Sequence, residues 1–357
     1  MGTGLEILRS KLKIALSGFL VSFLFASCLS SGTKATTECV AIGFYNLENL
    51  FDTIDSPGVN DIEYTPNGLN KWNTYKYNSK LEQISYAISR IGLEHSPLGV
   101  AILGVAEVEN RKVLEDLTSQ PDIASRPYEI VHYDSSDPRG IDVALLYNPD
   151  LFTVSNSVTY PLYIKDEPDF RTRDQLLVSG YLLHEKTHII VNHWPARYGN
   201  ELASRAKRIA AAGVTKSIVD SICKIESHAN IIIMGDMNDD PSDESTAVFL
   251  GAKKNPRHVK KGALYNPMWA LQDKGKGSSV YKGQWNLFDQ IIVSYDLLHT
   301  PRTGLKFWKA EVFNAPFLTH QEGENIGTPI RTHSQGTWLN GYSDHYPTLI
   351  YLTKEVK

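Results

Sequence analysis

An α/β domain with many strands is predicted for residues 38–357 by three features of the chain. Short runs rich in Val and Ile alternate with segments of helical apolar spacing, no internal repeat recurs at a fixed period, and no Pro/Ser-rich linker divides the body. With 357 residues, 42% hydrophobic and 21% charged, the chain has ample material for a buried core and no compositional mark of disorder.

In chain order, residues 1–27 come first and read as an export signal. Arg9, Lys11 and Lys13 precede an apolar run over residues 14–26 that is too short to span a bilayer, and the small residues Ala26 and Ser27 stand before Cys28. That ending resembles a bacterial lipobox, with Phe25 where the motif prefers Leu, so Cys28 is expected to be the lipid anchor and residues 28–37 a tether; simple cleavage and secretion is the alternative. Either places the protein outside the cytoplasm, in the cell envelope or beyond it. Without residues 1–27 the chain holds 33 basic and 39 acidic residues, net −6, which excludes a general attraction to polyanions.

The predicted strands follow at residues 40–45, 100–106, 141–147, 176–183, 188–191, 231–234, 288–293 and 348–352. A helix is predicted over 80–91, where Leu81, Ile84, Ile88 and Ile91 share a face and Ser79 with Glu82 resembles a capping box. A second is predicted from about 201 to 225, with Leu202, Ala206, Ile209, Ile218, Ile222 and Ile225 as its apolar stripe. Residues 253–284, Gly-rich and carrying Lys253, Lys254, Arg257, Lys260 and Lys261, read as a long basic surface loop. Cys39 and Cys223 are expected to be buried free thiols, since two Cys make no disulfide framework and no C-x-x-C spacing occurs.

Polar residues with chemical potential cluster at the strand ends. "FYNLENLFD" puts Asn46 and Glu48 past the first strand, "GVAEVEN" puts Glu107 past the second, and "IIIMGDMND" puts Asp236 and Asn238 past another. "VNHWPAR" supplies Asn192 and His193, "LFDQIIV" opens a strand with Asp289, and "SDHYP" adds Asp344 and His345. Groups abutting buried strands sit on rigid supports and converge readily at one rim of a sheet. Singly, each has a structural explanation: Asn46 as a turn cap, Asp236 with Asn238 as an Asx turn, Glu107 as a solvated acid. Glu107 with Glu109 suggests paired-carboxylate glycoside chemistry, but that leaves Asn46, Asn238 and both histidines unused. Hard oxygen donors suit Mg²⁺, Mn²⁺ or Ca²⁺, and the Cys/His clusters zinc favours are absent. A cation, a base and charge-stabilising donors are what phosphoester hydrolysis requires.

The six motifs "YNLEN", "AEVEN", "NHWPAR", "GDMND", "FDQII" and "SDHYP", in this order, resemble the endonuclease/exonuclease/phosphatase superfamily over roughly residues 38–352. "RGIDVALLY" and "HWPAR" look most like its predicted extracellular bacterial nucleases. The resemblance implies a four-layered α/β/β/α sandwich of two mixed β-sheets with helices outside, and a metal-dependent phosphodiesterase acting on nucleic acid; the alternative is a phosphoesterase for phospholipid head groups or small esters, and a catalytically dead binding module is the third reading. It implies Mg²⁺, with Mn²⁺ or Ca²⁺ as alternatives, held by Glu107 and Asn46, with Glu48 and Asp344 as further acidic positions. Asp236 and Asn238 match the pair that orients water and holds phosphate, and His345 matches a general base or phosphate stabiliser paired with Asp289. Members differ on whether Asp344 or Asp236 contacts metal or water. His193 matches a phosphate contact or general acid, with Asn192 as the alternative contact. Arg139 is a candidate phosphate clamp, its other role being a salt bridge to Asp137 or Asp142. No obligate protein partner is indicated; nucleic acid and, through Cys28, a membrane are the expected partners.

Overall fold

The computed structural model describes residues 36–334 and 336–356, so the signal, Cys28 and all but the last two residues of the tether lie outside the described residues. Among the described residues, seventeen strands fold in the order β1 (Thr36–Leu50), β2 (Val100–Val108), β3 (Glu129–His132), β4 (Asp142–Tyr147), β5 (Phe152–Tyr160), β6 (Gln175–Leu182), β7 (Glu185–His193) and β8 (Asn230–Asp236). Then come β9 (Ala252–Lys253), β10 (Leu264–Tyr265), β11 (Ser279–Tyr281), β12 (Gln284–Asn286), β13 (Asp289–Ser294), β14 (Lys306–Val312), β15 (His333–Ser334), β16 (Thr337–Trp338) and β17 (Thr348–Val356). The main helices are α1 (Thr74–Arg90), α2 (Arg111–Thr118) and α3 (Glu201–Ile225).

Two mixed sheets carry the fold. One runs β14-β17-β1-β2-β4-β3 and the other β5-β6-β7-β8-β13-β10-β9; the pairs β1/β2 and β7/β8 are parallel. Their strands alternate in a period of two, as a sheet covered on both faces requires. Ile42 and Phe44 of β1 meet Ile189, Val191, Ile232 and Met234 of the second sheet in a central core. The intervening Ala41 and Tyr45 pack outward with Leu81, Ile84 and Ile88 of α1 and Leu114 of α2. On the far side Ile190, Ile231 and Ile233 pack outward with Ala212, Ile218 and Val219 of α3. The layers are therefore helix, sheet, sheet, helix, as expected for the sandwich. Gly104 leaves room for a side chain of the facing sheet: an added Cβ would come within 2.4 Å of the Met234 Sδ.

All eight predicted strands occur, and the differences lie at edges and helix starts. Helix α1 begins at Thr74, not at residue 80; Asn73 is its N-cap, accepting from the Lys76 amide, while Ser79 lies inside the helix and donates to Asn340. Helix α3 has the expected span, but Leu202 and Ile225 are exposed and its buried face includes Ser204, Arg208 and Thr215. Arg208 is accommodated there because Asp239 and Glu201 accept its N–H groups. Residues 253–284 are not one loop: they supply β9 and β10 to the edge of the second sheet and the hairpin β11–β12. Cys39 and Cys223 are free and half-buried.

Candidate active site

Strand direction explains why distant segments converge. Because β1 and β2 run parallel with Asn46 opposite Ala106, and β7 and β8 run parallel with His193 opposite Asp236, all four strands end at one rim. Strand β13 runs the other way and so starts there, with Asp289 opposite Asp236. Strand β17 likewise starts there, so His345 just before it faces the same rim; the Ser343 hydroxyl donates to the Asn46 carbonyl at 2.7 Å and fixes the approach. Gly235 permits the close passage of β7 and β8, since a Cβ would meet the Asn192 carbonyl at 2.3 Å.

Asn46 is the hub. Fully buried, it donates through Nδ2 to Glu107 Oε1 at 3.2 Å and to Asp236 Oδ2 at 3.1 Å, while its Oδ1 accepts from the Glu48 amide. Glu107 also accepts from the Asn49 amide at 3.0 Å. Glu48, Asn49, Glu107 and Asn238 all have positive φ (48°, 55°, 60° and 50°), an uncommon conformation for residues with a side chain, and one found often at functional sites. It turns the chain sharply as each strand ends.

His345 Nδ1 lies 2.6 Å from the buried Asp289 Oδ2, and its Nε2 faces Asp236 Oδ2 at 4.0 Å and Asp344 Oδ1 at 3.9 Å. Burial disfavours the imidazolium, but the carboxylates of Asp289, Asp344 and Asp236 outweigh it and hold the His345 pKa well above its ordinary value. His193 is the opposite case: burial, with Arg173 and Arg139 nearby, keeps it well below, hence neutral, and its Nδ1 has no partner. Its Nε2 lies 3.6 Å from Asp236 and 3.9 Å from Glu107. Burial pushes Asp236 up to about 7 against the pull of His345, and the Asn238 amide donates to its Oδ1 at 2.9 Å. Asn238 Nδ2 donates to the Trp194 carbonyl.

Glu48 stands slightly apart. Burial and the neighbouring Asp344 push it up to about 7, against Lys80 and Arg331. Arg331 Nε donates to Glu48 Oε1 at 3.1 Å and its Nη2 to Asp344 Oδ2 at 3.0 Å. The buried Lys80 ammonium bonds the Thr332 hydroxyl and the Tyr342 carbonyl.

Two expected contacts stand elsewhere. Asn192 is fully buried with its amide committed to the fold: Nδ2 donates to the Met234 carbonyl and Oδ1 accepts from Trp194 Nε1 and the Thr215 hydroxyl, which leaves nothing to offer a phosphate. Arg139 is half-exposed and donates to Asp137 through Nε at 3.2 Å. Asp137 also binds the buried Arg173, whose Nη2 donates to the Trp194 carbonyl at 2.6 Å. Glu109 is no partner of Glu107; it accepts from the Asp52 amide and the Ser56 hydroxyl and anchors the loop after β1. Arg173, Arg331 and Lys80 were missed because a lone basic residue in a loop or helix carries no spacing signal.

The donor set fits a hard divalent cation. Glu107, Glu48, Asp236, Asp289 and Asp344 gather within one rim, and Asp236 with Asp289 and His345 offer ligand atoms within 4.8 Å of one another. Carboxyls that burial pushes toward neutrality gain most from a nearby positive charge.

Two mixed sheets under helices, with acids, amides and two histidines gathered at one rim, define a phosphoester-hydrolase sandwich. The chain belongs to the Endonuclease/Exonuclease/phosphatase family, whose sequence profile matches residues 41–354. Members are typically phosphoester hydrolases and generally use divalent metals. Solved structures sharing the fold include an endonuclease/exonuclease/phosphatase family protein from Bacteroides thetaiotaomicron, at 15% identity and TM-score 0.52 over 90% of this chain and 97% of that one. TDP2 from C. elegans matches at 15% and 0.52 over 88% and 75%, and a mannosyl-6-phosphatase from Bacteroides thetaiotaomicron at 14% and 0.52 over 88% and 99%. Among curated proteins, none matches the sequence.

Proposed function

We propose that the protein is a divalent-metal-dependent phosphodiester hydrolase acting on DNA or RNA, in the extracellular bacterial nuclease branch of the family. The observation that carries the diesterase reading is the pair of cavities flanking the rim: one of about 500 Å³ beside Arg139 and Arg173, another of about 550 Å³ beside Arg331 and Asp344. A diester carries a substituent on each side of phosphorus, whereas a small monoester needs only one cavity. The basic cluster Lys253–Lys261 lends no support. Its Lys261 lies at the end of the second sheet away from Asp236: it contacts His228, just before β8, and that strand runs about 20 Å from Asn230 to Asp236.

The residues divide the work as their environments dictate. Glu107, Asn46 and Asp344 would hold Mg²⁺, with Mn²⁺ or Ca²⁺ as alternatives and Glu48 supporting Asp344 through Arg331. The cation would supply charge neutralisation on the phosphoryl oxygens. Asp236 and the Asn238 side chain orient the attacking water, and Asp236, pushed up to about 7, takes its proton near neutral pH. His345, kept protonated by Asp289, donates through Nε2–H to a phosphoryl oxygen as charge develops there. Neutral His193 contacts the phosphate from the other side. Residues 1–28 carry the remaining part of the proposal, export to the bacterial envelope or medium.

The test incubates protein with Cys28 replaced by Ser with single- and double-stranded DNA, RNA, sphingomyelin, phosphoinositides and phosphosugars, with and without EDTA. Cleavage of nucleic acid that EDTA abolishes is expected. Turnover confined to lipids or small esters would keep the site and overturn the substrate.

A further inference from the structure

We infer that the cavity beside Arg139 and Arg173 is a subsite for the nucleotide next to the scissile phosphodiester, its base lying against Phe170 and Tyr198 and its outer phosphate meeting Arg171. This rests on the nuclease reading of the adjacent rim. The cavity, about 500 Å³, is within the range of small-ligand sites.

It adjoins the catalytic rim. The Trp194 carbonyl accepts from Arg173 Nη2 on the cavity side and from Asn238 Nδ2 on the rim side, so a single peptide separates the two. The next residues, Pro195 and Ala196, are cavity wall. A group bound here sits one step from the phosphorus.

The lining specifies the ligand. Its walls are flat and apolar, from Phe170, Pro195 and Pro138, and Tyr198 is 90% exposed above them with no packing role. Bases stack on such faces whatever their sequence. Its charge is positive: Arg139, Arg171, Arg173 and Lys207 line it with one acid, Asp137, which is already shared by two arginines. Lys207 lies 4.1 Å over the Phe170 ring and pairs with Glu167, while Arg171 donates only to backbone carbonyls and has no carboxylate partner among the described residues. Two buried donors on the wall, the Thr172 hydroxyl and Arg173 Nε, have no partner at all. Unpaired buried donors call for an acceptor-rich ligand. A sugar would find few acceptors for its hydroxyls, whereas a base carbonyl and a phosphate supply what these groups lack.

The test uses fluorescence anisotropy of 5′-labelled hexathymidylate and of an abasic hexamer with the same backbone. Both are titrated into the His345→Ala protein, and into the same protein carrying Phe170→Ala or Arg171→Ala. We expect hexathymidylate to bind at least about 10-fold tighter than the abasic hexamer, and Phe170→Ala to erase that preference. Arg171→Ala should weaken both oligomers and flatten the salt dependence. Equal binding of the two oligomers, binding of neither, or an undiminished preference in Phe170→Ala overturns the subsite. Cleavage by the unaltered protein is read separately: cleavage without base preference removes the subsite and keeps the nuclease, and base-dependent binding without cleavage does the reverse.

Discussion

Replacing Asp289 by Asn tests whether His345 works as a charged donor or as a base. The side chain keeps its shape, and its carbonyl can still accept from His345 Nδ1, so what disappears is the charge. At 2.6 Å two unit charges attract by about 6 kcal/mol at an effective dielectric near 20. If only a third of that is lost, about 2 kcal/mol, the protonation equilibrium of the imidazole shifts about 30-fold toward the neutral form. A histidine held above its ordinary pKa stays charged through neutrality and loses its proton only as pH rises through the raised value. Without the carboxylate, that loss moves to lower pH. The variant should therefore run up to about 30-fold slower than the parent near pH 8, and the deficit should narrow as pH falls toward 6. Hydrolysis of bis(p-nitrophenyl) phosphate at saturating Mg²⁺ across that range reads the ratio. A ratio constant across pH, or a deficit that grows in acid, would refute the donor role.

Glu107→Gln should raise the Mg²⁺ concentration needed for half-maximal rate by at least about 10-fold and lower kcat by about 100-fold, measured by metal titration. In the parent, Mg²⁺ at about 100 times its Kd should stabilise the fold by about 2.7 kcal/mol, seen as a higher Tm that EDTA reverses. Arg208→Ala should cost about 3 kcal/mol by leaving Asp239 buried without its main cationic partner, lowering Tm by several degrees. Gly235→Ala should destabilise by at least about 2 kcal/mol and reduce activity as well, because the clash falls on the β7–β8 pair that carries His193 and Asp236; retained activity with lowered Tm would show the rim tolerates the shift.

What was legible in the chain follows from burial. Central strands such as β8 carry Ile231, Ile232 and Ile233 in succession because both faces are covered, and that run is visible without coordinates. Edge strands β5 and β14 are half solvated, with polar residues on their open faces, and no such run marks them. The first turns of α1 are polar for the same reason. Residues set on strand ends, Asn46, Glu107, Asp236 and His345, were found because a polar group directly against a buried run is conspicuous. Arg173 and Arg331 were not: each acts through a carboxylate distant in sequence, and nothing local announces that pairing. The basic run at 253–261 is conspicuous in the chain but does not locate a binding face, since charge spacing gives no information about which end of a sheet a loop occupies.

The hydrogen bond from Ser343 to Asn46 joins residues at opposite ends of the domain, and it bears on when activity begins. Strands β1 and β2 can pair early, yet the rim has neither its cationic imidazole nor Asp344 until the closing strand inserts between β1 and β14. A chain still emerging from a ribosome or a secretion channel holds several of the acids but cannot complete the constellation. Completion of the rim is thus the last event in the folding of this domain, and whatever chemistry the rim supports arises only once the entire domain has been delivered.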